Sequence, residues 1–219
     1  MNRKMYYSFH DIPFGSSGYG YERPALRFSR REIMELFISI VILSLAFSIA
    51  RSRMMYGGYE RMGYLMVSSF LAVITAFACH EVAHKYVGMR YGYWSEYRMF
   101  PQGLLLALLL SFTGFLFAAP GAVVIFGSPP REENGKISAA GPATNIVISA
   151  VCAPLSPVIG GMAGEIVGGI AAINAFLAFF NLIPFGPLDG RKILAWNTGV
   201  WAMMLVVSIA LIMFSMGLL

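Results

Sequence analysis

Five stretches of this chain are apolar over a length that matches the thickness of a lipid bilayer, and this restricts the fold to a membrane-embedded helix bundle. They cover residues 32–50, 63–87, 137–154, 164–183 and 198–219. A helix needs about 20 mostly apolar residues, within a range of about 17–25, to cross the hydrocarbon. A sixth apolar piece, 104–118, is shorter and ends at Pro120-Gly121. Composition agrees: 58% of the 219 residues are hydrophobic and only 12% charged, with a mean hydropathy of +0.67. A soluble domain carries about 25% charged residues. The length fits one compact bundle and leaves no room for a second large domain. The expected organisation is therefore a cytoplasmic N-terminal segment, 1–31, followed by a multi-span domain, 32–219.

Local signals set the boundaries. Ser29-Arg30-Arg31-Glu32 reads as a capping box opening the first span, and Arg51 and Arg53 close it. After the second span comes an aromatic stretch, Tyr91 to Phe100, in which 96–100 alternates like a short strand. Residues 122–126 form a second β-rich piece, and 127–136 reads as a polar loop. Gly141-Pro142 then falls near the start of the third span, where proline is tolerated. The expected fold class is an all-α polytopic bundle of about six apolar segments with a small membrane-associated β element. Cys79 and Cys152 both lie in apolar segments and suggest no disulfide framework.

Charge supplies an orientation. With the N-terminus in the cytoplasm, three of the 16 Lys and Arg (Arg51, Arg53 and Arg61) fall on the outer side and the other 13 inside. The positive-inside rule prefers that placement. It requires 104–126 to enter the membrane and return, because one crossing there would put His80 and Asp189 on opposite faces. The net charge of +5 then reflects orientation and attraction to the lipid surface rather than nucleic-acid binding.

The second span ends in His80-Glu81-Val82-Ala83-His84, which holds two of the three histidines in the chain. Ionisable groups at membrane depth are costly and mark function. Helical residues four apart share a face, roughly 40° apart, so both imidazoles can reach one metal ion. Glu81 is placed to act on a metal-bound water. Catalytic zinc usually takes a third protein ligand. Asp189 is the best candidate, since Pro184 and Pro187 open the chain before it and Gly190 permits a tight turn after it. Glu165, at the far end of its span, and His10, in the polar tail, are weaker.

His-Glu-x-x-His on one span and Asn181-Leu-Ile-Pro184-Phe-Gly-Pro-Leu188-Asp189-Gly190 on a later one resemble the site-2 protease family of intramembrane zinc metalloproteases. Gly141-Pro142-Ala143-Thr144-Asn145 resembles the family too. The resemblance covers roughly residues 63–196. It implies one Zn²⁺ held by His80, His84 and Asp189, with Glu81 as general base and Asn181 in contact with substrate or transition state. It also implies a transmembrane protein segment as substrate and the lipid bilayer as the setting, while the charge count gives the expected multi-pass location in the cell membrane, with the N-terminus cytoplasmic and the active site nearer that side. It does not extend to a PDZ-like domain, so it says nothing of substrate selection.

Blander readings stand beside these. The His-Glu-His group could be a buried polar cluster, Asp189 an interfacial cap, and Asn181 a partner for a carbonyl freed by proline. Gly141, Pro142 and Asn145 read as helix-start chemistry and close packing. Two rival functions remain open: a membrane zinc hydrolase of the prenyl-protein protease type, taking a Glu ligand such as Glu165, and a zinc transporter or scaffold.

Overall fold

The computed structural model describes residues 26–54, 62–115 and 118–218. His10, the Gly/Tyr/Ser patch at 14–21 and most of the 1–31 segment lie outside the described residues. In chain order the elements are α1 (Arg30–Met54), α2 (Met62–Val73), a π-helical turn (Ile74–Ala78), α3 (Cys79–Arg90), β1 (Trp94–Met99), α4 (Pro101–Ser111), β2 (Gly121–Phe126), α5 (Arg131–Ile159), α6 (Gly161–Leu182), α7 (Asp189–Trp196) and α8 (Thr198–Ser215). Among the described residues, α1, the continuous rod Met62–Arg90, α5, α6 and α8 are long and apolar enough to cross a membrane. Their outer surfaces carry exposed Val147, Val151, Met203 and Val206. The chain is a helical multi-pass bundle.

The first span begins as its sequence dictates. Glu32 N donates to Ser29 Oγ (3.1 Å) and Ser29 N to Glu32 Oε2 (3.4 Å), closing the capping box. Glu32 does more than cap. Lys85, on α3, donates to both of its carboxylate oxygens (2.9 and 2.7 Å) and to Ser95 O (2.7 Å), with both side chains buried at 1% exposure. The ammonium also lies 4.7 Å from the Phe28 ring centroid. Lys85 therefore belongs to the interior rather than to a charged cytoplasmic face.

β1 and β2 pair antiparallel, from Trp94↔Phe126 to Met99↔Gly121. The backbone N–H groups of Tyr97 and Met99, which point away from β2, donate to Glu32 Oε1 (3.0 Å) and Glu35 Oε2 (3.0 Å). Three side chains, Glu32, Glu35 and Lys85, thus satisfy the outer edge of β1, a row of groups that would otherwise recruit another strand. Tyr97 points into the core with Leu43, Val73, Phe77, Leu104 and Ala107. Its hydroxyl donates to Pro120 O (2.9 Å) and sits 2.9 Å from Ser39 Oγ.

The segment between the strands is an excursion that returns. Met99 and Gly121 are paired, and Phe100 N donates to Pro120 O (2.8 Å), so its two ends coincide. α4 runs beside α1 from Glu35 to Arg53, whose Nε donates to Phe112 O (3.3 Å). Along a straight helix those two residues are about 27 Å apart. Because 104–126 does not cross, His80 and Asp189 fall at the same end of the bundle.

Several boundaries differ from expectation. Residues 131–136, read as loop, form the first turns of α5, where Glu132 and Glu133 suit a helix N-terminus and Lys136 Nζ pairs with Glu132 Oε1 at 2.5 Å. Pro142 is consequently in the helix interior, not near its start. The apolar piece expected at 104–118 is helical only over Pro101–Ser111, with proline supplying the first turn.

Candidate metal centre

α3, α5 and the start of α7 build the site. Immediately before the His pair the rod winds as a π-helix, a feature concentrated at functional sites, in which Cys79 N donates to Ile74 O. His80 and His84 follow on one face of α3, both buried. The two Nε2 atoms are 3.0 Å apart. Asp189 Oδ2 is 3.3 Å from His80 Nε2 and 3.1 Å from His84 Nε2. Asp189 reaches this position because α6 ends at Leu182 and the Pro184–Pro187 break turns the chain back, so that α7 begins on the aspartate itself. Gly190 packs directly against the Leu182 carbonyl, where a Cβ would collide.

The donor chemistry calls for a cation. His84 Nδ1 lies 2.8 Å from Ile137 O and so carries the ring proton, which leaves a lone pair on Nε2. That lone pair faces a second Nε2 and a carboxylate oxygen, three donor atoms that one cation can join. Tetrahedral zinc, with bonds of about 2.0–2.2 Å, separates its N and O ligand atoms by about 3.3 Å. The observed 3.0, 3.1 and 3.3 Å match. Donating the distal N–H of a ligating histidine to a carbonyl is also the usual supporting contact of a metal site. Three protein donors leave a position for water or substrate, as in catalytic rather than structural sites.

α5 supplies the floor. A Cβ on Gly141 would strike Nε2 of both His80 and His84. The glycine therefore lets the α5 backbone close on the two Nε2 atoms, so its reading as close packing holds while its reading as helix-start chemistry does not. Pro142, beside it, offers no N–H to the Ser138 carbonyl and loosens the turn that presents Ile137 O to His84. Glu81 is buried, and its Oε2 accepts a hydrogen bond from Val123 N of β2 (2.9 Å). Asn181 Nδ2 donates to Leu177 O (3.0 Å), one turn back in its own helix. Glu165 lies at the opposite end of α6, where Tyr64 Oη donates to it (3.2 Å). Among the described residues, His80, His84 and Asp189 are the group of three whose ligand atoms could hold a metal ion.

Comparison with known proteins agrees with this geometry. The chain is 38% identical over 182 residues to "Putative zinc metalloprotease MJ0611" of Methanocaldococcus jannaschii, covering 80% of this chain and 90% of that protein. It therefore belongs to that zinc metalloprotease family. It is also 29% identical over 146 residues to "Putative zinc metalloprotease Rip3" of Mycobacterium tuberculosis, 63% of this chain but 33% of that longer protein. To "Putative zinc metalloprotease YwhC" of Bacillus subtilis it is 27% identical over 165 residues, 65% of this chain and 72% of the relative. No family model matches the chain, and no solved structure matches it significantly.

Proposed function

We propose that this chain is an intramembrane zinc endopeptidase of the site-2 protease type, hydrolysing peptide bonds within transmembrane segments of other membrane proteins. The carrying observation is the convergence of His80 Nε2, His84 Nε2 and Asp189 Oδ2, buried within a bundle of membrane-spanning helices. His80, His84 and Asp189 would hold one Zn²⁺, which when bound supplies an acidified water, with a pKa of about 7, and Lewis acidity toward a carbonyl. Glu81 takes a proton from the attacking water as the C–O bond forms, then returns it to the amine nitrogen, whereupon the C–N bond breaks and the carboxyl carbonyl re-forms. Asn181 gives one amide hydrogen to the Leu177 carbonyl, and its second N–H and Oδ1 are the groups that would touch substrate. Glu165 as a ligand, the feature a prenyl-protein type enzyme needs, gains no support from its place at the far end of α6.

A helical peptide bond is shielded by its own turn, so the substrate must unwind. The side chains of α1 and α3 occupy the outer edge of β1, which supports β2 as the edge that receives an extended substrate. A strand adding there takes over Val123 N–H and releases Glu81 from it. Charge supports a cytoplasmic N-terminus and a multi-span unit over 32–219 in the cell membrane, with the catalytic end nearer the cytoplasm.

The test is metal analysis paired with cleavage of a transmembrane substrate. Purified protein binds about one zinc. Glu81→Gln keeps the metal and loses about 10²–10⁴-fold in rate, the usual contribution of a general base. His80→Ala and Asp189→Ala lose the metal as well. Full activity in Glu81→Gln rules out the assigned base, and full zinc content in Asp189→Ala rules out the ligand set.

A further inference from the structure

One buried group beside the site is left without chemistry by the ligands and Glu81. Asn145, on α5, is 0% exposed, and among the described residues neither its Nδ2 nor its Oδ1 has a hydrogen-bond partner. An unmet carboxamide is expensive in any protein interior and more so in a membrane-spanning helix. Its placement is specific. Asn145 follows Gly141 by four residues and so shares its helix face. Helical side chains lean back toward the N-terminus, so the Asn145 amide overhangs Gly141. Gly141 is the position where a side chain would meet Nε2 of His80 and His84. Asn145 therefore lies one helical turn along α5 from the glycine that touches both ligand nitrogens, on the same face. Ser149, four residues further on, is also fully buried with an unpartnered hydroxyl and continues the same polar lane. Asn181, by contrast, has one of its two amide hydrogens engaged with Leu177 O.

We infer that Asn145 binds the backbone of the unwound substrate next to the scissile bond. A carboxamide with both halves unmet is the complement of a peptide group: Nδ2 donates to a carbonyl oxygen and Oδ1 accepts from an N–H. The ligand class is an extended peptide backbone, read without regard to its side chains. This inference rests on the protease reading of the same site.

The experiment uses the full chain in detergent, loaded with Co²⁺, in the wild type, Asn145→Leu and Asn145→Ser. Dissociation constants are read from the cobalt absorption bands for two probes: acetohydroxamate, which engages only the metal, and a leucyl-leucyl hydroxamate, which adds peptide groups. Cleavage of a synthetic transmembrane peptide is measured in parallel. In both variants cobalt content and acetohydroxamate affinity stay as in wild type. Peptide hydroxamate binding weakens about tenfold or more, and kcat/KM for the peptide falls by about 10². Peptide hydroxamate affinity unchanged in Asn145→Ser overturns the inference, as does loss of cobalt in both variants, which would make Asn145 a support of the metal cradle. A wild type that binds both probes yet cleaves no transmembrane peptide overturns the protease reading alone, since the hydroxamate comparison still decides the role of Asn145.

Discussion

At the scale of single residues, the site depends on what is absent at position 141 as much as on the ligands. Gly141→Ala keeps α5 helical and places a methyl group against two Nε2 atoms. Zinc affinity is expected to fall about 10–100-fold, the range seen when support around a metal is disturbed. Gly169→Ala, a helical glycine with open space around it, is the control and leaves zinc affinity unchanged. Competitive titration with a chelator measures both, and equal affinities would remove Gly141 from the cradle. The candidate ligand pair was legible, because an i, i+4 His pair with an intervening Glu has few other uses in an apolar helix. Asp189 was legible through the prolines that turn the chain before it. Gly141 and Asn145 were visible as a pattern, but nothing local in their sequence separates close packing from contact with a His pair 57–65 residues upstream.

At the scale of elements, helix existence followed from apolar length, while ends and pairings did not. The acidic start of α5 reads as loop from polarity alone, although Glu132 and Glu133 are what a helix N-terminus favours. The sheet was foreseeable from aromatic and β-branched runs, whereas its guarded edge was not, since Glu32 and Lys85 are 53 residues apart. That pair carries its own prediction. Glu32→Gln alone strands a buried ammonium and is expected to destabilise the protein by about 3–5 kcal/mol, whereas Glu32→Gln combined with Lys85→Met costs clearly less. Thermal or denaturant unfolding in detergent of the two single variants and the double variant measures the coupling. Additive losses would show that the ion pair does not tie α1 to α3.

At the scale of the whole molecule, the returning excursion between β1 and β2 sets the parity of every later span. It places the loop before α5 and the break before α7 on one face, and the α5–α6 turn on the other. The proposed orientation predicts that a membrane-impermeant thiol reagent, applied to intact cells carrying a variant without native cysteines, labels Met162→Cys. Ser128→Cys is labelled only after permeabilisation. The reverse pattern would invert the topology and place the metal centre toward the exterior.

The Glu32–Lys85 contact also sets how small a working unit can be. A version trimmed to the helices that carry the ligands would begin after α1 and lose Glu32, the carboxylate that neutralises Lys85. The cation so orphaned sits one residue from His84, in a water-poor interior. α1 is thus part of the minimal folding unit, and trimming or fusion designs that retain function must keep the chain from Ser29 onward.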